Sequence, residues 1–155
     1  EVAEALSLKA KERDMNIVLE LAEDLPQVIA DANQVQQLIQ NLTDNALKYG
    51  ISPSDVTIEV KCVDAIPSSK SFSVAEGKAI AISVNNKGPK ISAEDLARVT
   101  ERFYRLQEHK NLNIKGTGLG LSIAKQIILR HKGNLTVSST NYDGTTFTVY
   151  LPLAI

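Results

Sequence analysis

The chain has 155 residues, of which 43% are hydrophobic, so it is long enough for one well-packed domain and too short for two ordinary ones. Its formal net charge is −1, from 17 basic and 18 acidic residues, and no basic run is interleaved with aromatic residues, which argues against nucleic acid or a membrane surface as a partner. The lone Cys62 cannot form an intrachain disulfide, and no apolar run approaches the roughly 20 residues of a membrane-spanning helix. Because the sequence starts with Glu1 and not with Met, we expect an excised fragment or a processed product.

The first third of the chain predicts a helix, a strand and a second helix. Small and apolar residues at helical spacing indicate a helix over Glu1–Arg13. The β-favouring run Asn16–Leu21 predicts a strand, which ends at a turn that contains a proline. Asp31 is a predicted N-cap with Gln34 three residues later, and its helix runs to Tyr49, where a glycine follows.

The middle of the chain predicts a hairpin. Val56–Val63 alternates apolar and polar residues, as a strand with one buried face does, and Ala79–Val84 is a second strand-like run. A loop that reaches Lys78 separates them, and we expect the two strands to pair antiparallel across it. Beyond this hairpin, Ser92 is a predicted cap of a short helix that ends near Arg102.

The last third of the chain predicts a helix and a second hairpin. The helix covers Leu119–Arg130 and ends at Lys132-Gly133. The strands Leu135–Ser139 and Thr145–Leu151 are joined by an Asn-Tyr-Asp-Gly turn, which is a strong hairpin signal. Helices separated by hairpins, without regular βαβ alternation, predict an α+β fold, a two-layer sandwich of helices on a mixed, mostly antiparallel sheet.

A glycine-rich turn at Gly116, Gly118 and Gly120 leads into the predicted third helix. Such a turn presents several backbone N–H groups beside a helix N-terminus, which is what a phosphate requires. The dinucleotide fingerprint does not fit, because Leu121 stands where its third glycine belongs, and no Gly-Lys-Ser/Thr follows as in a P-loop. A plain glycine-rich cap of an ordinary helix is the alternative.

The second helix carries Asn41, Asn45 and Lys48 at positions i, i+4 and i+7, so one narrow stripe holds two amides and an ammonium group. An amide oxygen is a hard, neutral ligand for Mg²⁺, and a lysine adds a point charge for phosphate. The alternative is a solvated helix face.

The segment Val84–Ile91 has two asparagines before a Gly-Pro turn. An asparagine offers an acceptor and a donor, the pair of groups with which an amide can read an adenine edge. A plain asparagine-rich turn is the alternative.

Together, these stretches resemble the catalytic ATP-binding domain of sensor histidine kinases, with its N, G1, F and G2 boxes and terminal strand. This domain has the Bergerat-type fold of the GHKL ATPase superfamily, which includes DNA gyrase and MutL. The matching stretches are Asn41–Tyr49, Val84–Ile91, Arg102–Arg105, Gly116–Leu121 and Gly144–Phe147.

The resemblance implies a nucleotide-binding role for each box. Asn45 would coordinate Mg²⁺ between the ATP phosphates, Asn41 would help to hold metal-bound water or phosphate, Lys48 would meet a phosphate, and Tyr49 would line the base or sugar. Thr145 would lie near the adenine-reading residue. The G1 box would contribute Asn86, Gly88 and Ile91, and the G2 box Gly116, Thr117, Gly118, Leu119, Gly120 and Leu121, whose backbone N–H groups would wrap the triphosphate.

The stretch between the F and G2 boxes would be the ATP lid, over Leu106–Lys115. Phe103 and Tyr104 would anchor its start, and Arg105 would face phosphates or a partner domain. His109 in this lid and His131 at the end of the third helix lack the surroundings of a phosphoacceptor, and His131 is best explained by the helix dipole.

The G1 box departs from the Asp-x-Gly-x-Gly pattern of the family. Asn86 replaces the aspartate, which keeps the carbonyl acceptor and loses the charge that would strengthen its hydrogen bond. Lys90 replaces the second glycine. We therefore expect weaker ATP binding than an aspartate would give.

The resemblance implies that residues 1–155 are the catalytic and ATP-binding domain of a histidine protein kinase. It would hold Mg-ATP and donate the γ-phosphate to a histidine on its own, separate dimerisation domain, with no catalytic residue in this fragment. The implied parent is a homodimer with a response regulator downstream, and the fragment is a cytoplasmic domain without nucleic-acid or direct membrane contact. Whether the parent is anchored in the bacterial inner membrane stays open.

Two other functions stay open at the level of sequence. One is a degenerate docking module, a pseudokinase with weak or no ATP binding. The other is a different ATPase or protein kinase of the superfamily, such as an anti-sigma-factor kinase, against which the long lid and Phe103-Tyr104-Arg105 argue.

Overall fold

The computed structural model describes residues 2–23, 25, 30–51, 53–64, 78–88, 119–141 and 143–153. Within these ranges, three helices accompany one five-stranded sheet. The helices are α1 (Val2–Glu12), α2 (Ala32–Tyr49) and α3 (Leu119–Arg130), and the strands are β1 (Met15–Leu21), β2 (Ser54–Val63), β3 (Ala79–Asn86), β4 (Asn134–Thr140) and β5 (Gly144–Pro152). None of these helices is both long enough and apolar enough to cross a membrane.

The sheet has the strand order β1-β2-β3-β5-β4. The edge strand β1 pairs parallel with β2, and α2 is the crossover between them. The other three pairings are antiparallel, including the predicted hairpins of β2 with β3 and of β4 with β5. The predicted α+β class with a mixed, mostly antiparallel sheet is therefore confirmed.

Strand β3 is longer than the sequence predicted. The expected end was Val84, but Asn85 and Asn86 continue the strand. Asn86 is paired with Val56 of β2 on one side and with Thr145 of β5 on the other. Asparagine has a low β propensity, and the two flanking strands override it, because a central position satisfies the backbone on both sides.

The core lies between the sheet and the helices. Alternating residues of the strands face the helices, and the apolar stripes of α2 and α3 cover them. Each valine, leucine, isoleucine or phenylalanine side chain in this core contributes about 1.5–3 kcal/mol when it is fully buried. The core residues of these elements include Leu38, Leu42, Ala46, Val56, Ile58, Ile82, Val84, Ala124, Ile127, Ile128, Phe147 and Val149.

Several predicted features lie outside the described residues. These are most of the loop before Lys78, the short helix from Ser92 to Arg102, the lid over Leu106–Lys115, and the glycine-rich turn up to Gly118.

Candidate functional site

The polar stripe of α2 lies beside its buried face. Asp31 starts the helix as predicted, because its Oδ1 accepts a hydrogen bond from the Gln34 N–H at 3.1 Å. From this start, the helical repeat places Asn41, Asn45 and Lys48 on one strip between the core and solvent. The side chains of Asn41 and Asn45 are half-buried. Two amides and one ammonium group are therefore presented together at the border of the core.

One donor on this stripe is left unsatisfied. The Nδ2 atom of Asn41 is buried and has no hydrogen-bond partner among the described residues. A buried donor without a partner costs about 1–3 kcal/mol, and folded proteins rarely keep one without a reason. The Asn41 amide therefore suits a polar ligand with a hydrogen-bond acceptor.

A second polar group lies at the end of the sheet. Asn86 at the end of β3 and Thr145 at the start of β5 are paired neighbours on the face toward the helices, and only 5% and 3% of their surfaces are exposed. The Thr145 hydroxyl forms a hydrogen bond with the Ser139 hydroxyl at 2.9 Å. The Asn86 Nδ2 donates to the Lys87 carbonyl oxygen at 3.3 Å. This end of the sheet therefore carries a buried side-chain amide beside a buried hydroxyl.

The end of α2 is attached to this end of the sheet. The Ile51 N–H donates to the Lys87 carbonyl oxygen at 2.7 Å. A Cβ on Gly50 would lie 2.8 Å from the Ala46 backbone carbonyl oxygen and 3.4 Å from the Asn86 Cβ, so the position favours a glycine and lies close to Asn86. The amide stripe and the buried Asn86 are thus at the same corner of the molecule.

The start of α3 lies near the polar stripe. The Asp31 N–H donates to the His131 Nε2 at 3.0 Å, and the His131 Nδ1 bonds the Ile127 carbonyl oxygen at 2.8 Å, so α2 begins where α3 ends. The two helices pack against each other, and twelve helical residues span about 18 Å. We infer that Leu119 lies level with the stretch from Asn41 to Asn45.

This contact also explains His131. An Nε2 that accepts from a backbone N–H carries no proton, so the proton is on Nδ1 and is donated to the Ile127 carbonyl at the end of α3. The predicted interaction of His131 with the helix C-terminus is confirmed. Its contact with the start of α2 was not predicted from the sequence.

The structure brings together only part of the predicted site. It places Asn41, Asn45, Lys48, Asn86 and Thr145 at this corner, with Gly88 two residues beyond β3. For Tyr49, Leu119, Gly120 and Leu121 it describes the backbone, within α2 and α3. The remaining predicted residues, Ile91, Tyr104, Arg105, Gly116, Thr117 and Gly118, lie outside the described ranges.

Sequence reasoning placed Gly50 at the end of the second helix and Gly144 in the turn of the last hairpin, but it did not predict the close approaches that the two glycines make at this corner. Gly50 lies close to Ala46 and to Asn86, and Gly144 has a φ of +77° and approaches the backbone of Asn86 and Lys87. The Asn-Tyr-Asp-Gly turn was a signal for the positive φ of Gly144, because glycine adopts it without strain. The approach to Asn86 joins segments far apart in the chain, and no local pattern reveals it.

The two asparagines of β3 have different environments. Asn85 points to the outer face, where its Nδ2 donates to the Asp143 carbonyl oxygen at 2.7 Å and to the Thr146 hydroxyl at 2.8 Å. Only Asn86 continues the inward alternation of Ile82 and Val84. Extending this alternation by one step would have distinguished the two residues from sequence.

The described residues contain no cluster of three or more histidine, cysteine, aspartate or glutamate side chains suited to a metal. A divalent cation at this corner would therefore depend on the amide oxygens of Asn41 and Asn45 and on ligand oxygens. Hard oxygen ligands and few protein contacts are typical of Mg²⁺ sites that share a phosphate group. The donor chemistry of the stripe fits this kind of cation.

Comparisons with known proteins agree on one family. A family profile described as "Histidine kinase-, DNA gyrase B-, and HSP90-like ATPase" matches residues 30–155. The sensor histidine kinase CusS of Escherichia coli O6:H1 is 33% identical over 146 residues, which are 93% of this chain and 27% of that kinase. The chain thus spans about a quarter of the length of this relative.

Solved structures share the fold. The mycobacterial sensor histidine kinase MprB matches with a TM-score of 0.74 and 25% identity, over 97% of this chain and 91% of that chain. Full-length ShkA in complex with AMPPNP also matches with a TM-score of 0.74, at 24% identity, over 99% of this chain and 28% of that chain.

Proposed function

Because the chain belongs to the histidine kinase-, DNA gyrase B- and HSP90-like ATPase family, we propose that it binds Mg-ATP and donates the γ-phosphate to a histidine on a separate dimerisation domain. The family match and the sensor histidine kinases among its relatives confirm the resemblance that the motifs predicted. They do not favour the degenerate docking module.

The observation that carries the proposal is the buried Asn86 beside Thr145. The amide oxygen of the buried Asn86 side chain suits the exocyclic amino group of adenine as an acceptor, and the adjacent ring nitrogen can accept from a hydroxyl or a bridging water. The Thr145 hydroxyl lies on the same face. These two side chains would therefore hold the base at the end of the sheet.

The stripe on α2 would hold the phosphates. Asn45 and Asn41 supply amide oxygens, Lys48 supplies a positive charge, and the start of α3 supplies the N-terminal end of a helix dipole. Magnesium bound there would neutralise phosphate charge and orient the triphosphate. The unsatisfied Asn41 Nδ2 supports an acceptor of this kind close by.

This chain would contribute to catalysis by positioning and by charge. Holding the base at the sheet and the phosphates along α2 would direct the γ-phosphate toward a histidine on the dimerisation domain, which would attack in line. We propose that residues 1–155 form the catalytic and ATP-binding domain of a homodimeric sensor kinase, located on the cytoplasmic side and followed in signalling by a response regulator. In that parent, acid-labile label from γ-labelled ATP should appear on the phosphoacceptor histidine.

A thermal shift titration tests ATP binding directly. A ligand at 100 times its dissociation constant adds about 2.7 kcal/mol of stability. For a domain of this size, that corresponds to a rise in Tm of roughly 5–10 °C. No shift at millimolar Mg-ATP would contradict the proposal and favour a docking module.

The role of Asn45 is tested by Asn45→Ala. We expect the magnesium-dependent part of the shift to be lost, because the amide oxygen that would coordinate the cation is removed. Asn33→Ala is the matched control, since Asn33 is exposed in the first turn of the same helix. Retention of the magnesium dependence in Asn45→Ala would contradict the assignment of the metal ligand.

A further inference from the structure

One carboxylate links α1 to the polar stripe of α2. The Asp44 Oδ1 lies 3.1 Å from the Lys9 Nζ, and the Asp44 Oδ2 lies 3.3 Å from the Lys48 Nζ. The Arg13 Nη2 donates to the Lys48 backbone carbonyl oxygen at 2.8 Å. Asp44 is therefore shared between two ammonium groups, and a third cation holds the last turn of α2.

We propose that Asp44 is a positioning residue, which pairs with Lys48 when no nucleotide is bound and releases Lys48 to a phosphate group when nucleotide binds. In the absence of nucleotide, its carboxylate holds the Lys48 ammonium group. When phosphate arrives, Lys48 moves to a phosphate oxygen, and Asp44 keeps Lys9 as its counter-ion. This inference rests on the proposed Mg-ATP function and adds to it a residue pair, Asp44 with Lys9, that does not itself touch the nucleotide.

The pair of Asp44 with Lys48 is suited to exchange. Their side chains are 26% and 38% exposed, and ion pairs with this much solvent access are weak. A triphosphate carries more negative charge than one carboxylate and competes well for the same ammonium group. Because Arg13 fixes the backbone at Lys48, the exchange needs only a movement of the lysine side chain.

Lys9 makes the exchange less costly. If Lys48 left and Asp44 had no other cation, an uncompensated carboxylate would remain beside the phosphates and repel them. Lys9 binds the other carboxylate oxygen, so the departure of Lys48 leaves the Lys9 pair intact. Lys9 therefore favours phosphate binding by acting through Asp44.

The test is a double-mutant cycle on the 155-residue chain, with Mg-ATP affinity measured by calorimetry. We expect Asp44→Asn to tighten Mg-ATP binding roughly two- to five-fold, because Lys48 no longer has to leave a carboxylate. We expect Lys9→Ala to weaken it by a similar factor. In the Asp44→Asn background, Lys9→Ala should have no further effect, because its partner is gone.

Two controls isolate this effect. Lys11→Ala removes a positive charge from the same helix, at a lysine without an ion pair in the described structure, and should leave the affinity unchanged. Glu59→Gln breaks the Lys61–Glu59 pair on the far face of the sheet and should also leave it unchanged. Raising the salt concentration should reduce the effects of Asp44→Asn and Lys9→Ala, because ions screen exposed charges.

The possible outcomes separate this inference from the function on which it rests. Weaker binding in Asp44→Asn would mean that Asp44 only supports the structure, and equal effects of Lys9→Ala in both backgrounds would mean a general charge effect. Either result would overturn the proposed exchange of Lys48. Neither would contradict the proposal that the unchanged chain binds ATP. Absence of Mg-ATP binding by the unchanged chain would overturn both proposals.

Discussion

Gly144 is the position where one added methyl group should affect the candidate site most. Gly144 has a φ of +77°, and a Cβ there would lie 2.9 Å from the Lys87 Cα and still closer to the Asn86 carbonyl oxygen. Both neighbours are backbone atoms of a central strand end, so they cannot rotate away as a side chain would. Gly144→Ala should therefore displace the strand that carries Asn86.

The expected cost has two parts. Placing alanine at a positive φ costs about 1 kcal/mol relative to glycine. Forcing a methyl group into a packed region costs a further 1–3 kcal/mol, roughly. The sum of about 2–4 kcal/mol corresponds to a fall in Tm of roughly 5–15 °C for a domain of this size.

Comparison of Gly144→Ala with Gly144→Asn separates the two parts. Asparagine tolerates a positive φ better than alanine, so it would recover stability if backbone strain were the main cost. Its Cβ meets the same backbone atoms, and we therefore expect thermal or urea unfolding to show Gly144→Asn no more stable than Gly144→Ala. A Gly144→Asn variant close to the unchanged chain in Tm would refute the steric argument.

Two further predictions concern the site and its support. Asn86→Asp should tighten ATP binding about five-fold, because a charge-assisted hydrogen bond to adenine is roughly twice as strong as a neutral one; unchanged or weaker affinity in calorimetry would contradict the expectation that asparagine at this position weakens ATP binding. His131→Ala removes the hydrogen bonds to Asp31 and Ile127 and should lower the unfolding free energy by about 1–2 kcal/mol, with ATP affinity unchanged. A loss of affinity as large as the loss of stability would show that His131 acts on the site itself.

The sequence predicted the elements that carry local signals. The N-cap of α2 at Asp31, its apolar stripe and the glycine after Tyr49 act within a few turns of one helix, and the observed helix begins at Ala32 and ends at Tyr49 as expected. The hairpin of β4 with β5 likewise follows from its turn. Because these signals need no distant partner, reading the chain in order was enough to find them.

The sequence did not predict the features that depend on distant partners. Asn86 continues a strand because Val56 and Thr145 flank it, and the Asp31–His131 contact joins residues 100 positions apart. The placement of β1 beside β2 is equally nonlocal. The motifs identified Asn41, Asn45 and Lys48 as a stripe, but their common corner with Asn86 follows only from this packing.

The candidate site has two ends with different structural support. The proposed base end, at Asn86, is built into the sheet, where Gly144 approaches the Asn86 backbone. The proposed phosphate end is the polar stripe of α2, where the Lys48 ammonium group is paired with Asp44. Changes at Gly144 should therefore weaken the binding of adenosine and of ATP by similar factors, because both ligands contain the base. Changes at Asp44 or Lys9 should alter ATP binding and leave adenosine binding unchanged, because in the proposed exchange only the phosphates compete for Lys48.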